Sequence, residues 1–284
     1  NSTNKDKSKK EILVYVGLDL LGDALLKLPF LNVLKEKFPN AKITWFAGKG
    51  SSAFSGPLNL LSRGLINRIK DDESYGSTFF DFFKPLKRKK YDIIIDTQKR
   101  LLTTLLLKRF KTEIFISPCS NFLFSDLLPH DLTEKNLSNQ LINLVEVFSC
   151  NKISYQNNLN TKNTKKIAIC PGASVIWKRW PFENFIEISK HLIKQNFIPV
   201  FILGPQERNL ERSLKKEFSK NKIIVVVSND PLKTIEISRS CLAGISNDTG
   251  CGHLIASSGI PVLTLFGPTD SNKFSPLGNE KNVT

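Results

Sequence analysis

From residue 12 onward, short runs rich in apolar residues alternate with longer stretches whose apolar positions recur every three or four residues. The short runs, bounded by Gly, Asp, Asn or Lys, read as strands, and the stretches between them as amphipathic helices. In the first half the strands are predicted at 12–16, 42–46, 68–70, 92–96 and 113–116. The clearest helix covers 21–38, where Leu21, Leu25, Leu28, Leu31, Leu34 and Phe38 keep helical spacing until Pro39 and Asn40 end it. A polar stretch at 156–166, rich in Asn, Thr and Lys, interrupts this rhythm and predicts a linker. The rhythm then restarts, with strands predicted at 167–170, 199–203, 223–227, 242–246 and 262–266. Regular strand–helix alternation predicts an α/β protein with parallel sheets, here as two doubly wound, Rossmann-like domains over 1–160 and 161–284. In such sheets ligands collect at the carboxyl ends of the strands, so the loops that follow strands are where chemistry is to be sought.

Composition narrows the classes. The chain has 284 residues, 40% hydrophobic and 24% charged, enough for two ordinary domains. Its longest apolar stretch, 12–34, is broken by Asp19, Asp23 and Lys27 and does not qualify as a membrane span. Lys5 to Lys10 ahead of that stretch imitate a signal peptide, but Asp19 arrives too early and no small-residue cleavage site follows, so a frayed basic tail is expected. Cys119, Cys150, Cys170, Cys241 and Cys251 form no C-x-x-C pair, which suggests neither a disulfide framework nor a zinc site and fits a reducing cytoplasm. The formal net charge of +15 points to an anionic partner, whether phosphate, nucleic acid or an acidic membrane. A lysine bias spread over a solvated surface gives the same total, and charge alone does not choose. No methionine occurs, even at position 1, and the chain ends at Thr284 soon after a motif-rich segment, so a trimmed chain is expected.

Three strand-end loops carry candidate chemistry. The first, Gly17-Leu18-Asp19-Leu20-Leu21-Gly22-Asp23, places a carboxylate at the start of the long helix, where the helix dipole keeps it ionised. Asp23 is there either a general base or an ordinary helix-terminal charge. The second, Pro171-Gly172-Ala173-Ser174, followed by Lys178-Arg179-Trp180-Pro181, combines small residues, a hydroxyl and two cations ahead of a helix. It reads equally as a phosphate cradle and as a basic loop anchored by Trp180. The third, Ser246-Asn247-Asp248-Thr249-Gly250-Cys251-Gly252-His253, brings backbone N–H groups to a helix start, where a pyrophosphate can be held. A further strand ends in Phe266-Gly267-Pro268-Thr269-Asp270. Neither a P-loop nor a G-x-G-x-x-G fingerprint is present, and no D-x-D offers a divalent metal a seat, which leaves phosphate to Lys, Arg and helix ends.

Taken in order, these segments resemble glycosyltransferase family 9, the ADP-heptose:lipopolysaccharide heptosyltransferases. The segment 12–34 is similar to the family's opening strand, Gly-Asp turn and helix; 171–181 to its P-G-A-S and K-x-W-P region; 247–253 to N-D-T-G-x-x-H; and 266–270 to F-G-P-T-D. The resemblance implies a GT-B fold, two Rossmann-like domains facing across a cleft, with an acceptor domain followed by a nucleotide-sugar donor domain. It implies an inverting, metal-independent transfer of a heptose or related sugar from an ADP-sugar to a lipopolysaccharide core acceptor, with no cofactor beyond the donor. Asp23 then matches the base, Lys178 the lysine at the donor phosphate, and Ser174, Asp248, Thr249, Gly250 and His253 the donor-binding set. The chain departs from the pattern at Gly17, where family members often carry Arg in an R-x-D-x-x-G-D turn.

Two other classes compete: a GT-B enzyme using another nucleotide sugar, and a non-catalytic protein that holds nucleotide or nucleic acid. No RNP-like aromatic pattern or zinc-finger spacing supports nucleic acid. A lipid-linked acceptor implies work at the cytoplasmic face of the inner membrane. The cations at 84–90 beside Phe79, Phe80, Phe82 and Phe83 offer a peripheral contact with that anionic surface, or alternatively an ordinary amphipathic helix with a basic end.

Overall fold

The structure, a computed structural model, describes residues 9–71, 74–84, 89–153, 155, 163–173, 175–218 and 222–277. Most of the predicted linker (156–162), the basic start as far as residue 8, and Ser174 lie outside the described residues. The chain divides into two compact units, Asn1–Glu134 with Gln140–Ile153, and Lys135–Asn139 with Ser154–Thr284.

In the first unit the strands are β1 (Glu11–Tyr15), β2 (Lys42–Ala47), β3 (Arg68–Asp71), β4 (Tyr91–Asp96) and β5 (Thr112–Ile116). All pair in parallel, in the order β3-β2-β1-β4-β5. The helices are α1 (Leu21–Lys37), the short α2 (Asn59–Ser62), α3 (Leu101–Leu107) and α4 (Leu137–Glu146). The central strand β1 is apolar at consecutive positions because both faces of a parallel sheet are covered, and Ile12, Leu13, Val14 and Tyr15 are all buried. Pro29 stands inside α1 and removes one intrahelical hydrogen bond there. The helix runs on regardless, because Leu25, Leu26, Phe30, Leu31, Val33 and Leu34 are buried along it.

The second unit repeats the plan. Its strands are β6 (Lys166–Cys170), β7 (Ile198–Leu203), β8 (Ile224–Val227), β9 (Ala243–Asn247) and β10 (Val262–Leu265), parallel in the order β10-β9-β6-β7-β8. Its helices are α5 (Phe182–Lys194), α6 (Arg208–Glu217), α7 (Pro231–Arg239), α8 (Gly250–Ser257) and the short α9 (Ser271–Phe274). One apolar cluster gathers Ala168, Val200, Ile202, Ile255 and Val262, and a second gathers Ile167, Ile169, Phe185, Phe201 and Leu214. Alternate residues of β6 thus feed opposite faces of the sheet. Asn136 donates to the Ser275 carbonyl at 3.0 Å, which ties the 135–139 segment to the C-terminal end of this unit.

In each sheet the strand order reverses beside the first strand, between β1 and β4 and between β6 and β9. Loops leaving those strands diverge to opposite faces and open a crevice, the usual ligand position in doubly wound sheets. Three of the four motif segments leave β1, β6 and β9, and the fourth leaves the neighbouring β10.

Candidate active site

In the second unit the motif segments converge on Asp248. Lys178, in a 3-10 turn at Ile176–Lys178, brings its Nζ to 2.7 Å from Asp248 Oδ2. The Thr269 hydroxyl donates to the same oxygen. Asp248 is buried, and Lys178 keeps a quarter of its side chain exposed. Asn247, fully buried at the end of β9, stitches the segments together: its Oδ1 accepts from the Trp180 N–H at 3.1 Å and its Nδ2 donates to the Pro171 carbonyl at 2.8 Å. Trp180 packs edge-on against Phe185, 5.1 Å between centroids, and is a core anchor as well as a loop residue.

Arg179 is occupied elsewhere. Its Nε donates to the Ala173 carbonyl at 2.8 Å, and its guanidinium lies 3.7 Å from Glu207. The Glu207 carboxylate fills the space over Gly172, where a Cβ would come within 2.8 Å of it. A side chain at Gly172 would have to push this carboxylate aside. Of the two cations in this loop, Arg179 is held to the loop and to Glu207, and Lys178 is held at the start of α8 by Asp248.

Thr249 is the N-cap of α8, and the N–H groups of Gly250 and Cys251 in the first turn have no carbonyl of their own helix to bond. His253, one turn further, is buried, and burial pushes its imidazole down to about 4, so it is neutral at neutral pH and adds no cation to the site. Pro181 is the N-cap of α5. The structure also corrects the expectation about cysteines: Cys170, the last residue of β6, is disulfide-bonded to Cys251 in α8. A separation of 81 residues leaves no local spacing signal for this pair.

In the first unit Asp23 lies exposed in the first turn of α1. The turn that carries it is anchored by Asp19, which is fully buried. Asp19 accepts from Lys27 Nζ at 2.8 Å, from Trp45 Nε1 at 2.9 Å and from the Ser52 hydroxyl at 2.6 Å, and Lys27 also donates to the Asp23 carbonyl at 3.2 Å. Gly17 adopts φ +64°, a left-handed conformation that side chains rarely take, and a Cβ there would meet Gln98 at 3.3 Å. Gln98 itself donates to the Val16 carbonyl at 3.0 Å. The expected loss of a cation at Gly17 is thus accompanied by a cation from α1, Lys27, buried against the same turn. At the end of β4, burial raises the Asp96 carboxyl to about 6 despite hydrogen bonds from the Gln98 N–H and the Thr104 and Ser117 hydroxyls.

The family model of glycosyltransferase family 9 (heptosyltransferase) matches residues 130–284. The chain belongs to this family. The lipooligosaccharide heptosyltransferase 2 of Campylobacter jejuni subsp. jejuni serotype O:2 is 31% identical over 274 residues, covering 92% of this chain and 82% of that protein. The lipopolysaccharide core heptosyltransferase OpsX of Haemophilus influenzae is 22% identical, covering 95% and 83% respectively. Among solved structures, the E. coli heptosyltransferase WaaC with ADP is similar with a TM-score of 0.71 at 18% identity, covering 96% of this chain and 92% of that one. A family 9 glycosyltransferase from Veillonella parvula DSM 2008 gives a TM-score of 0.68 at 21% identity, covering 94% and 84%.

As a family 9 glycosyltransferase the chain is a transferase with the GT-B fold, and its two doubly wound units are the two halves of that fold. Lys178, Asp248, Thr249 and Gly250 come together in the second unit, with His253 buried one helical turn beyond them. Asp23 belongs to the first unit. Sequence reasoning did not single out Asn247, Thr269, Glu207, Asp19 or Lys27. Asn247, Thr269 and Asp19 stood inside quoted motifs, whereas Lys27 and Glu207 act through partners that no local pattern connects. No helix among the described residues is long and apolar enough to cross a membrane.

Proposed function

We propose that the protein transfers a heptose from ADP-heptose to a hydroxyl of a lipopolysaccharide core acceptor, with inversion and without a divalent metal. The observation that carries the reading is the Lys178–Asp248–Thr269 constellation at the start of α8, a cation fixed beside a row of helix-terminal N–H groups. In the reaction the acceptor oxygen forms a bond to the anomeric carbon as the bond from that carbon to the diphosphate breaks. The proton of the attacking hydroxyl passes to Asp23, whose carboxylate lies exposed in the first turn of α1. The electron pair of the broken bond leaves on ADP, whose diphosphate is stabilised by Lys178 and by the N–H groups of Thr249, Gly250 and Cys251. Asp248 is the counter-charge that positions Lys178, and His253 packs behind the loop as a neutral ring. The acceptor, being lipid-linked, would be met at the cytoplasmic face of the inner membrane.

Calorimetric titration with ADP, UDP and GDP tests the donor side. Selective binding of ADP, weakened ten- to a hundredfold by Lys178→Ala, is expected from the loss of about 1.5 to 3 kcal/mol in a charge-assisted contact. Asp23→Asn should retain ADP binding and lose transfer by a factor on the order of a hundred or more, measured in a chelator to check the metal-free step. Tighter binding of UDP or GDP would instead mark a GT-B enzyme with another nucleotide sugar.

A further inference from the structure

The 3-10 turn at Phe79–Phe83 presents an unusual surface: Phe79, Phe80 and Phe83 are 65%, 77% and 77% exposed, three large rings within one turn. The turn is firmly built. Asp81, at its centre, is buried and accepts on Oδ2 from the N–H groups of Gly76, Ser77 and Thr78 at 2.9, 3.0 and 3.1 Å, while Lys84 holds Oδ1 at 2.7 Å. Thr78 and Asp81 complete a reciprocal capping box. Phe82 turns inward onto the core, and Arg109 lies 5.9 Å from its ring centre while donating to the Asp81 carbonyl at 3.1 Å. The fold therefore holds one ring in and three rings out. Helix α3, which packs against the turn, adds exposed Leu101 and Leu105.

Acids precede the turn at Asp71, Asp72 and Glu73, whereas the segment that follows it and the end of α3 are rich in cations. Residues 82–90 contain Lys84, Lys87, Arg88, Lys89 and Lys90 and no acid, and residues 107–111 contain Lys108, Arg109 and Lys111 and no acid. The carboxylates that pair with Lys84, Lys89 and Lys90 are Asp81, Glu11 and Glu113, fewer than the cations gathered here. Residues 85–88 lie outside the described residues, and only their charge enters the argument.

We infer that the Phe79–Phe83 turn docks the protein on an anionic lipid bilayer, its three rings entering the interfacial layer and Lys84 and Arg109, both held against the turn, facing headgroup phosphates. Exposed rings gain by leaving water, and each nearby cation adds attraction to an anionic surface. A second copy of the chain is the poorer occupant, because it brings the same cations against these and each chain carries a net +15. The inference rests on the proposed transferase function only for the reason the protein meets a membrane.

The test is sedimentation of the intact protein with vesicles of phosphatidylcholine alone and of phosphatidylcholine mixed with phosphatidylglycerol. Binding to the mixed vesicles that weakens with added salt is expected, falling at least about tenfold in the triple variant Phe79→Ser, Phe80→Ser, Phe83→Ser. The variant should keep its melting temperature and ADP affinity, since the three rings are exposed and belong to no part of the donor site. Equal binding by the variant, no binding by the unaltered protein, or a self-association that the variant loses in place of vesicle binding would each overturn the inference. Failure of ADP to bind would sink the transferase reading and leave the vesicle result standing.

Discussion

Lys27 shows how one residue is decided by its environment. It occupies a helical position eight residues after Asp19, yet its side chain turns back to a carboxylate that is fully buried and already accepts from Trp45 and Ser52. The ammonium neutralises that carboxylate and reaches the Asp23 carbonyl, so the turn carrying the proposed base is held by a buried ion pair. Removing one member of such a pair leaves an uncompensated charge and costs about 3 to 5 kcal/mol, whereas removing both costs much less. Lys27→Met should therefore destabilise the protein by about that amount, and adding Asp19→Asn should recover most of the loss, both read from denaturant unfolding. If Lys27 also positions Asp23, the single variant lowers kcat and leaves ADP affinity alone. Unchanged stability in Lys27→Met would show that the pair contributes nothing. Exposed pairs such as Lys90 with Glu113 offer no comparable effect, because solvent screens them.

At the level of elements, the inner strands β1, β4, β6 and β7 were legible because burial on both faces turns them into nearly continuous apolar runs, whereas the edge strand β3, Arg68–Asp71, carries a single apolar residue. The predicted run 12–16 is observed as Glu11–Tyr15 and 242–246 as Ala243–Asn247, each displaced by one residue. The helix predicted over 21–38 closes at Lys37 with Phe38 as its C-cap. What was hidden depends on contacts distant in sequence. The Phe79–Phe83 segment had an amphipathic helix among its readings, yet the buried Asp81 gathers three successive N–H groups and winds it into a short 3-10 turn. The Cys170–Cys251 bond is the other instance: it ties the end of β6 to the first turn of α8, across the two segments that carry the proposed donor site. Closing a loop of 81 residues stabilises by up to about 4 kcal/mol on a chain-entropy account. Reductant, or Cys251→Ser without it, is expected to lower the unfolding midpoint and loosen ADP binding, with non-reducing peptide mapping to follow the bond. Free thiols in that map, or a melt indifferent to reductant, would remove the bond from the account of the site.

For the whole molecule, the organising fact is duplication: two units, each with its own five-stranded parallel sheet among the described residues and its own apolar cores. Chains with two such cores need not unfold in one step, and a ligand stabilises only the part whose unfolding releases it. Lys178, Asp248 and the start of α8 all belong to the second unit, so ADP is predicted to act on that unit's transition. At a concentration near a hundredfold its dissociation constant, ADP adds about 2.7 kcal/mol, which for a unit of this size raises the midpoint on the order of 8 to 10 °C. Scanning calorimetry should then resolve two transitions, one moving with ADP and one not, and Lys178→Ala should abolish most of the movement. Reductant identifies the moving transition independently, since the disulfide also belongs to the second unit. A single transition that moves as a whole would show that the two units unfold together. If neither transition moved, the donor site would have been assigned to the wrong nucleotide or to the wrong half of the chain, and a titration with UDP and GDP on the same scans would separate those two failures.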